Sequence, residues 1–383
     1  MKITLERTPE QVELIKAMAS KNRDVAYEAQ TALAEFIGPV LAEVVNTAPT
    51  VSNMFTSLQF NSDESPSIPL DLYHDITDED YIQVWSQSVP GGLPTNQVAP
   101  SQSELKFTTY TLDSALSFDK RYASRSRLDV VSKTFTRMAQ EILLKQEKTS
   151  ASMIMTALAK ASTNSPTDKE NHVIRSAQAN RFLLSDLNKL FTKAKRINTS
   201  WTGGTPADRR GRGITDLLVS PEIVEEIRGL AYNPINTRGG EGGAPTAGDG
   251  IAGTDTMRDA IFNSAGIPEF YGVSIQEYNE MGIDQKWNKV FDTAAGSISY
   301  DDHYSVAGSL TTFTEASEQV LVGVDLSRES MIRAVATDSE SGDEFSLVSD
   351  DQFVTRQSKI GYYGSLEEGR MIIDDRVLLG LIV

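Results

Sequence analysis

The sequence predicts an α+β chain of more than one domain, organised around one long helix. Three observations carry this. Residues 124–165 contain no Gly and no Pro, and apolar residues recur there at Leu128, Val131, Phe135, Met138 and Ile142, the three-four spacing of one helix face. Between Val51 and Leu112 the pattern changes to short extended runs. The last third alternates apolar runs with acidic turns such as DSESGDE, which reads as strands. At 383 residues there is room for two or three domains and a sizeable core.

Thr8-Pro9-Glu10-Gln11 reads as a helix start, with Thr as cap and Pro at the first position. Helical pattern continues with breaks to about Val45, its apolar residues spread over a mostly polar segment, and predicts an arm that packs on something else. Tyr81–Trp85 and Leu105–Leu112 read as strands around the tip VPGGLPTNQVAPSQSE. Together they predict a long hairpin, which has little apolar mass of its own and wants a partner surface. The long helix is expected over Ser124–Ser165, a rod of about 60 Å at 1.5 Å per residue. Its stripe lapses at Lys145 and Thr149 and resumes at Met153, Ile154 and Leu158, a break in register that argues against a coiled coil. Pro166 ends it by forcing the preceding residue out of helical geometry.

A second helix starts from Ser185 as N-cap and carries Leu187, Leu190, Phe191 and Ala194 on one side. Ile214–Val219 reads as a buried strand, and Ser220-Pro221-Glu222 caps a helix with Ile223, Val224 and Ile227 inward. Residues 239–256 form a Gly-rich loop expected to be mobile, followed by a short helix over 257–266 and a strand over Glu269–Val273. Strands are expected at Gln319–Val324, Ser330–Ala336, Phe345–Val348 and within Gln352–Gly364. The apolar Asp375–Val383 reads as a core strand.

Composition narrows the function. Acidic residues outnumber basic ones 53 to 36, a net charge of −17, which disfavours tight wrapping of nucleic acid. Cysteine is absent and histidine is limited to His74, His172 and His303. Thiolate chemistry is therefore excluded, and metal and triad chemistry is thinly supplied. The N-terminus shows no secretory apolar region, and no apolar run is long enough to span a membrane. The chain is expected to be made in the cytoplasm and to need no cofactor.

Candidate motifs for chemistry are weak. Gly248-Asp-Gly250-Ile-Ala-Gly253 matches the dinucleotide fingerprint by letters, but no strand precedes it. Asp71, His74, Asp75, Asp78, Glu79 and Asp80 could hold a divalent ion, yet their spacing fits no EF-hand and a solvated acidic loop is the simpler reading. Asp301-Asp302-His303 lacks a partnering nucleophile elbow. Arg209, Arg210 and Arg212 form a basic loop suited to a phosphate or an acidic neighbour, or to solvent. No constellation supports catalysis, and the positive features point to assembly. A metal- or nucleotide-dependent cytoplasmic enzyme using the acidic segment or the Gly-rich loop is the alternative of another class.

The order of elements resembles the major capsid proteins of tailed bacteriophages, the Hong Kong 97 fold. Four stretches carry the resemblance: the hairpin at Tyr81–Leu112, the helix at Ser124–Ser165, LLVSPEIVEEIRGL over Leu217–Leu230, and FVTRQSKIGYYGSLEEGRMIIDDRVLLGLIV over Phe353–Val383. The resemblance implies an N-terminal arm over 1–60 and an extended loop (the E-loop) over 61–118. It implies a spine helix and peripheral domain over 119–180, completed by 318–355, and an axial domain over 181–317, completed by 356–383. It further implies a virion shell of hexamers and pentamers assembled in the host cytoplasm. Partners would be a separate scaffolding protein, a portal, a decoration protein and packaged double-stranded DNA in weak contact, with no membrane. The chain begins with the arm and shows no acidic leader, and no local motif marks a crosslinking Lys–Asn pair. An encapsulin-like nanocompartment of the same fold is the nearest alternative. Tyr81, Trp85, Phe107, Tyr110, Arg121, Arg125, Arg209 and Arg210 are the expected inter-subunit contacts.

Overall fold

A computed structural model describes residues 8–48, 50–69, 104–161, 172–176, 178, 180–197, 213–232, 269–270, 272–300, 311–337, 344–350 and 358–383. The chain is α+β. Its helices are α1 (Pro9–Met18), α2 (Arg23–Thr47), α3 (Lys120–Ser124), α4 (Leu128–Ala161), α5 (Leu184–Ile197), α6 (Pro221–Tyr232) and α7 (Lys286–Ala295). The early strands are β1 (Thr56–Asn61), β2 (Ser67–Pro69), β3 (Glu104–Lys106), β4 (Thr109–Asp119) and β5 (Val173–Arg175). The middle strands are β6 (Asp216–Val219), β7 (Glu269–Phe270), β8 (Val273–Glu277), β9 (Ser299–Tyr300) and β10 (Thr311–Thr312). The last are β11 (Val320–Val324), β12 (Met331–Thr337), β13 (Ser346–Asp350), β14 (Lys359–Ile372) and β15 (Leu378–Ile382). The described residues fall into two units, one within 1–70, 100–151 and 331–373, the other within 71–99, 152–330 and 374–383.

In the first unit β14 is the organising strand. It pairs antiparallel with β4 over eleven positions, from Lys359↔Asp119 to Gly369↔Thr109. It also pairs with β12 and β13, and β1 adds in parallel to β12. Alternate residues Ile360, Tyr362, Gly364, Leu366, Glu368 and Arg370 point to the buried face. Gly364 is required there, because a Cβ would stand 2.2 Å from Met138 Cε and 2.6 Å from the Phe345 ring. Against this face pack α4 through Val131, Phe135, Met138 and Ile142 and α2 through Leu33, Ile37 and Leu41. The Thr8 cap and Pro9 start are as expected, Thr8 Oγ1 accepting from the Gln11 amide at 3.3 Å. The N-terminal helices are thus part of their own unit's core, where the sequence predicted an arm without one. Leu33, Ile37 and Leu41 are enough, because α4 and the sheet supply the rest of the core.

The long helix is present as α4, 34 residues or about 51 Å. The apparent lapse in its stripe is chemical and not geometric. Gln146 and Ser150 continue the run Ile142, Ile154, Leu158 at four-residue spacing, and both are fully buried. Residues of α4 up to Ala151 belong to the first unit and those from Ser152 to the second.

The second unit holds a six-stranded sheet in the order β5-β15-β11-β6-β8-β7. β11 runs antiparallel to β15 and β6, while β6–β8 and β15–β5 are parallel. One face is covered by α5 and α6 through Leu187, Leu190, Ile223 and Ile227. The Ser220 cap is as expected: Ser220 Oγ accepts from the Ile223 amide at 3.3 Å and donates to Gln319 Oε1 at 2.6 Å. α5 begins at Leu184, so Ser185 lies inside the helix and not at its cap. The strand expected over Glu269–Val273 is two, β7 and β8, joined at Gly272, whose φ of +76° suits a residue without Cβ.

Sheet membership corrects two domain boundaries. Residues 318–355 were expected to complete the unit of the long helix, but β11 pairs with β6 and β15 in the other unit. Residues 356–383 were expected on the far side, but β14 pairs with β4 and β12 in the first unit, and only β15 falls in the second. Short connections misled here: Asp325–Ser330 joins β11 to β12, and Asp374–Val377 joins β14 to β15, yet each pair of neighbours is split between sheets. The strand at Tyr81–Trp85, the hairpin tip, the Gly-rich loop and the helix at 257–266 lie outside the described residues.

Candidate functional site

Among the described residues, the most elaborate polar arrangement lies in the first unit, on the buried face of β14. Glu368 and Arg370 are two residues apart and therefore on one face. β12 places Arg333 directly opposite Arg370, and β4 places Tyr110 directly opposite Glu368. Two facing arginines repel, and the Glu368 carboxylate between them resolves this. Arg333 Nε donates to Glu368 Oε2 at 2.9 Å, and Arg370 donates through Nη1 to Oε1 and through Nη2 to Oε2 at 3.2 Å.

The cluster also reaches four other places in the unit. The Tyr110 hydroxyl donates to Glu368 Oε1 at 2.9 Å and accepts from Arg370 Nη1. Gln146 of α4 donates to Glu368 Oε2 at 3.0 Å, which explains why a polar residue sits in that stripe. Arg370 Nη2 donates to Ser52 Oγ at 2.8 Å, just after α2. Arg333 Nη1 donates to Asn46 Oδ1 of α2 at 3.1 Å. Asn46 and Gln59 of β1 both donate to Glu344, at 2.6 and 2.7 Å. The end of α2, the base of the hairpin, the middle of the long helix and the sheet are thereby bonded to one carboxylate and its two arginines.

The electrostatics follow from burial. The side chains of Glu368 and Arg370 are wholly buried and that of Arg333 is nearly so. Burial by itself would raise the Glu368 carboxyl, but the charges of Arg370 and Arg333 outweigh it and hold the group below its usual range. Burial is also the main reason the Tyr110 phenol is pushed up to about 12, with the Arg370 charge working against it. The network is therefore one carboxylate and two cations at neutral pH, with the phenol protonated.

Tyr110 also marks where the hairpin leaves the sheet. Pairing of β4 with β14 stops at Thr109↔Gly369, and a Cβ on Gly369 would lie 2.9 Å from the Thr108 carbonyl oxygen. Beyond Phe107 and Thr108 the chain continues as β3, which among the described residues pairs only with β2, from Ser67↔Lys106 to Pro69↔Glu104. The Phe107 amide donates to the Pro66 carbonyl at 3.0 Å.

The expected contact residues are distributed as follows. Phe107 is buried within the chain, and Tyr110 is half-buried with its hydroxyl engaged in the network. Arg121 and Arg125 are exposed. Tyr81, Trp85, Arg209, Arg210 and Arg212 lie outside the described residues, as do the acidic segment 71–80, the 301–303 triplet and Gly248–Gly253. His172 is buried, with Nδ1 3.2 and 3.1 Å from the carbonyl oxygens of Asp375 and Leu378, a structural contact. Among the described residues no group of acidic and histidine side chains is gathered as a cation would require, and no helix is long and apolar enough to cross a membrane.

No protein-family model matches the chain, and no curated protein does. Solved structures do. The capsid of the cyanophage P-SCSP1u is similar over 86% of each chain, at 13% identity and a TM-score of 0.44. The capsid of a native GTA particle is similar over 88% of this chain and 91% of that one, at 10% identity and a TM-score of 0.46. The SrpI encapsulin of Synechococcus elongatus is similar over 90% and 94%, at 9% identity and a TM-score of 0.42. At such identities and scores these are likenesses and no more.

Missed by the sequence reading were Glu368, Arg370, Arg333, Gln146 and Asn46. The available signal was a Glu-x-Arg pair inside a strand that otherwise alternates apolar inward, together with a Gln in step with a helix stripe.

Proposed function

We propose that the chain is the structural subunit of a closed protein shell, an icosahedral capsid that encloses double-stranded DNA. The observation that carries this is the convergence at Glu368. The carboxylate binds Tyr110 at the base of a hairpin that leaves its sheet and Gln146 of a long helix shared out between two α+β units, and its partner Arg333 binds Asn46 of α2. A subunit that repeats in a shell must hold projecting elements at defined angles while neighbours vary in orientation. The order of elements supports the reading, since it is the order the capsid resemblance implies. The acidic balance of the chain suits a container whose contents are packed without sticking.

On this reading the chain associates with itself in hexamers and pentamers. A separate scaffolding protein, a portal and a decoration protein are its partners, the virion is its location, and no reaction is assigned to it. The domains are then an N-terminal arm, an extended loop, and peripheral and axial units with the boundaries corrected above. Exposed Arg121 and Arg125 remain candidates for subunit contact. An encapsulin-like shell would share this architecture and differ in what it contains.

Electron microscopy of the protein expressed alone and with its genomic neighbours tests the proposal. Uniform shells or capsomer rings are expected, containing nucleic acid for a capsid and a protein cargo for an encapsulin. A monodisperse monomer under every condition would sink the shell reading.

A further inference from the structure

A groove in the first unit lies between α1, α2 and the start of α4. It has a volume of about 310 Å³ and an apolar lining that includes Leu14, Ile15, Leu33, Phe36 and Leu128. Its outer wall is α2. Phe36 is 56% exposed, and Val25 and Val40 are exposed on the same helix. Val25, Ala32, Phe36 and Val40, all exposed, follow one another at intervals of seven, four and four residues. That is the spacing of a seam against which another helix packs. Small, exposed Ala32 lets a neighbouring backbone come close, and Phe36 and Val40 supply apolar area beyond it. The opposite face of α2, with Leu41 and Val45, is already used inside the unit.

The charge around the seam restricts what can cover it. Glu10 lines the groove itself, and no lysine or arginine does among the described residues. Glu13 follows one turn on along α1, and both are exposed. On α2 the exposed Glu28 and Glu35 share a face with Ala32, at i, i+4 and i+7. Another copy of this chain, with a net charge of −17, would on average bring more acid to an acidic rim.

We infer that the α1–α2 groove is a docking site for a basic amphipathic helix of a different protein. The partner inserts one large apolar side chain beside Phe36 and lays lysine or arginine against Glu10, Glu13, Glu28 and Glu35. The inference rests on the groove and its rim, and stands whether or not the chain builds a shell.

The test uses the full chain in unassembled form and two synthetic helices of roughly 18 residues, about five turns. Both carry the same leucine stripe, one flanked by lysine and arginine and the other by glutamate. Fluorescence anisotropy at low ionic strength is expected to show the basic helix binding at least about tenfold more tightly, with added salt weakening it. Phe36→Ser, at an exposed position that leaves the fold intact, should cut that affinity by about tenfold or more. The double variant Glu28→Lys/Glu35→Lys should abolish or reverse the preference between the two helices. Equal binding of both helices, or unchanged binding by Phe36→Ser, overturns the proposal. So does self-association of the chain that Phe36→Ser removes while neither helix binds, which would make a second copy the occupant.

Discussion

Every residue of β11 and β15 in the second unit is buried, and their sequences, VLVGV and LLGLI, contain nothing polar. The buried face of β14 in the first unit runs from Ile360, Tyr362 and Leu366 into Glu368 and Arg370. The two sheets therefore fix their registers by different means. In the second, register is a matter of shape. A Cβ on Gly323 would meet Ile214 at 2.9 Å, and one on Gly380 would meet Val173 at 3.0 Å and Leu158 at 3.2 Å. In the first, register is a matter of charge, because a slip of one residue would turn Glu368 and Arg370 to the opposite face and leave Arg333 unpaired. An apolar sheet gains its stability from burial of its side chains. A buried Arg–Glu–Arg group gains little net stability over a well-packed apolar one, but penalises every other arrangement.

The largest expected effect breaks the charged sheet. Glu368→Gln leaves two buried arginines without their counter-charge and should cost about 3–5 kcal/mol, read by urea unfolding of the first unit. A loss under about 1 kcal/mol would mean that solvent or another group already balances them. Next, Gly380→Val over-packs the apolar sheet and should cost about 1–3 kcal/mol, with the loss confined to the second unit by hydrogen exchange. The smallest effect contrasts the units by pH. The folded Glu368 carboxyl lies below its unfolded value, so the stability it contributes is present above the unfolded value and is lost as pH falls through the folded one. Asp374, next to β15, is raised above its usual value, chiefly by burial. Its ionisation costs stability at neutral pH, and that cost is relieved as acid protonates it. Limited proteolysis with peptide mapping below about pH 4.5 should therefore show the first unit opening before the second, and the reverse order would contradict the assignment.

The parts of the fold legible in the sequence were those with local causes. Thr8-Pro9, Ser220-Pro221 and the stripe from Leu128 to Ile142 each specify an element within a few residues of themselves. The parts that were not legible depend on distant pairing. Arg333 and Glu368 are 35 residues apart, and charged residues inside strands read by default as exposed. The Lys145–Thr149 stretch looked like a gap in the stripe because Gln146 and Ser150 are polar, and only the carboxylate waiting at Glu368 explains the glutamine. α7 gives a blurred signal for a related reason. Asn288 lies on its buried face with Trp287 and Phe291, donating to the Glu318 carbonyl and accepting from the Val320 amide. Tyr110 lies in the strand expected for it, but its bond to Glu368 was not legible, since alternation shows which face a residue takes and not what its own chain places on that face.

The short β2–β3 pairing bears on how the chain can be altered. Its last pair, Pro69↔Glu104, closes a ring around residues 70–103. The entropy of closing such a ring grows only with the logarithm of its length, about 0.6 kcal/mol per doubling. The first unit's sheet therefore hardly senses how many residues lie between the two strands. That interval is open to length variation and to grafted sequence, while Gly369, in the last pair before the hairpin departs from the sheet, tolerates not even a methyl group.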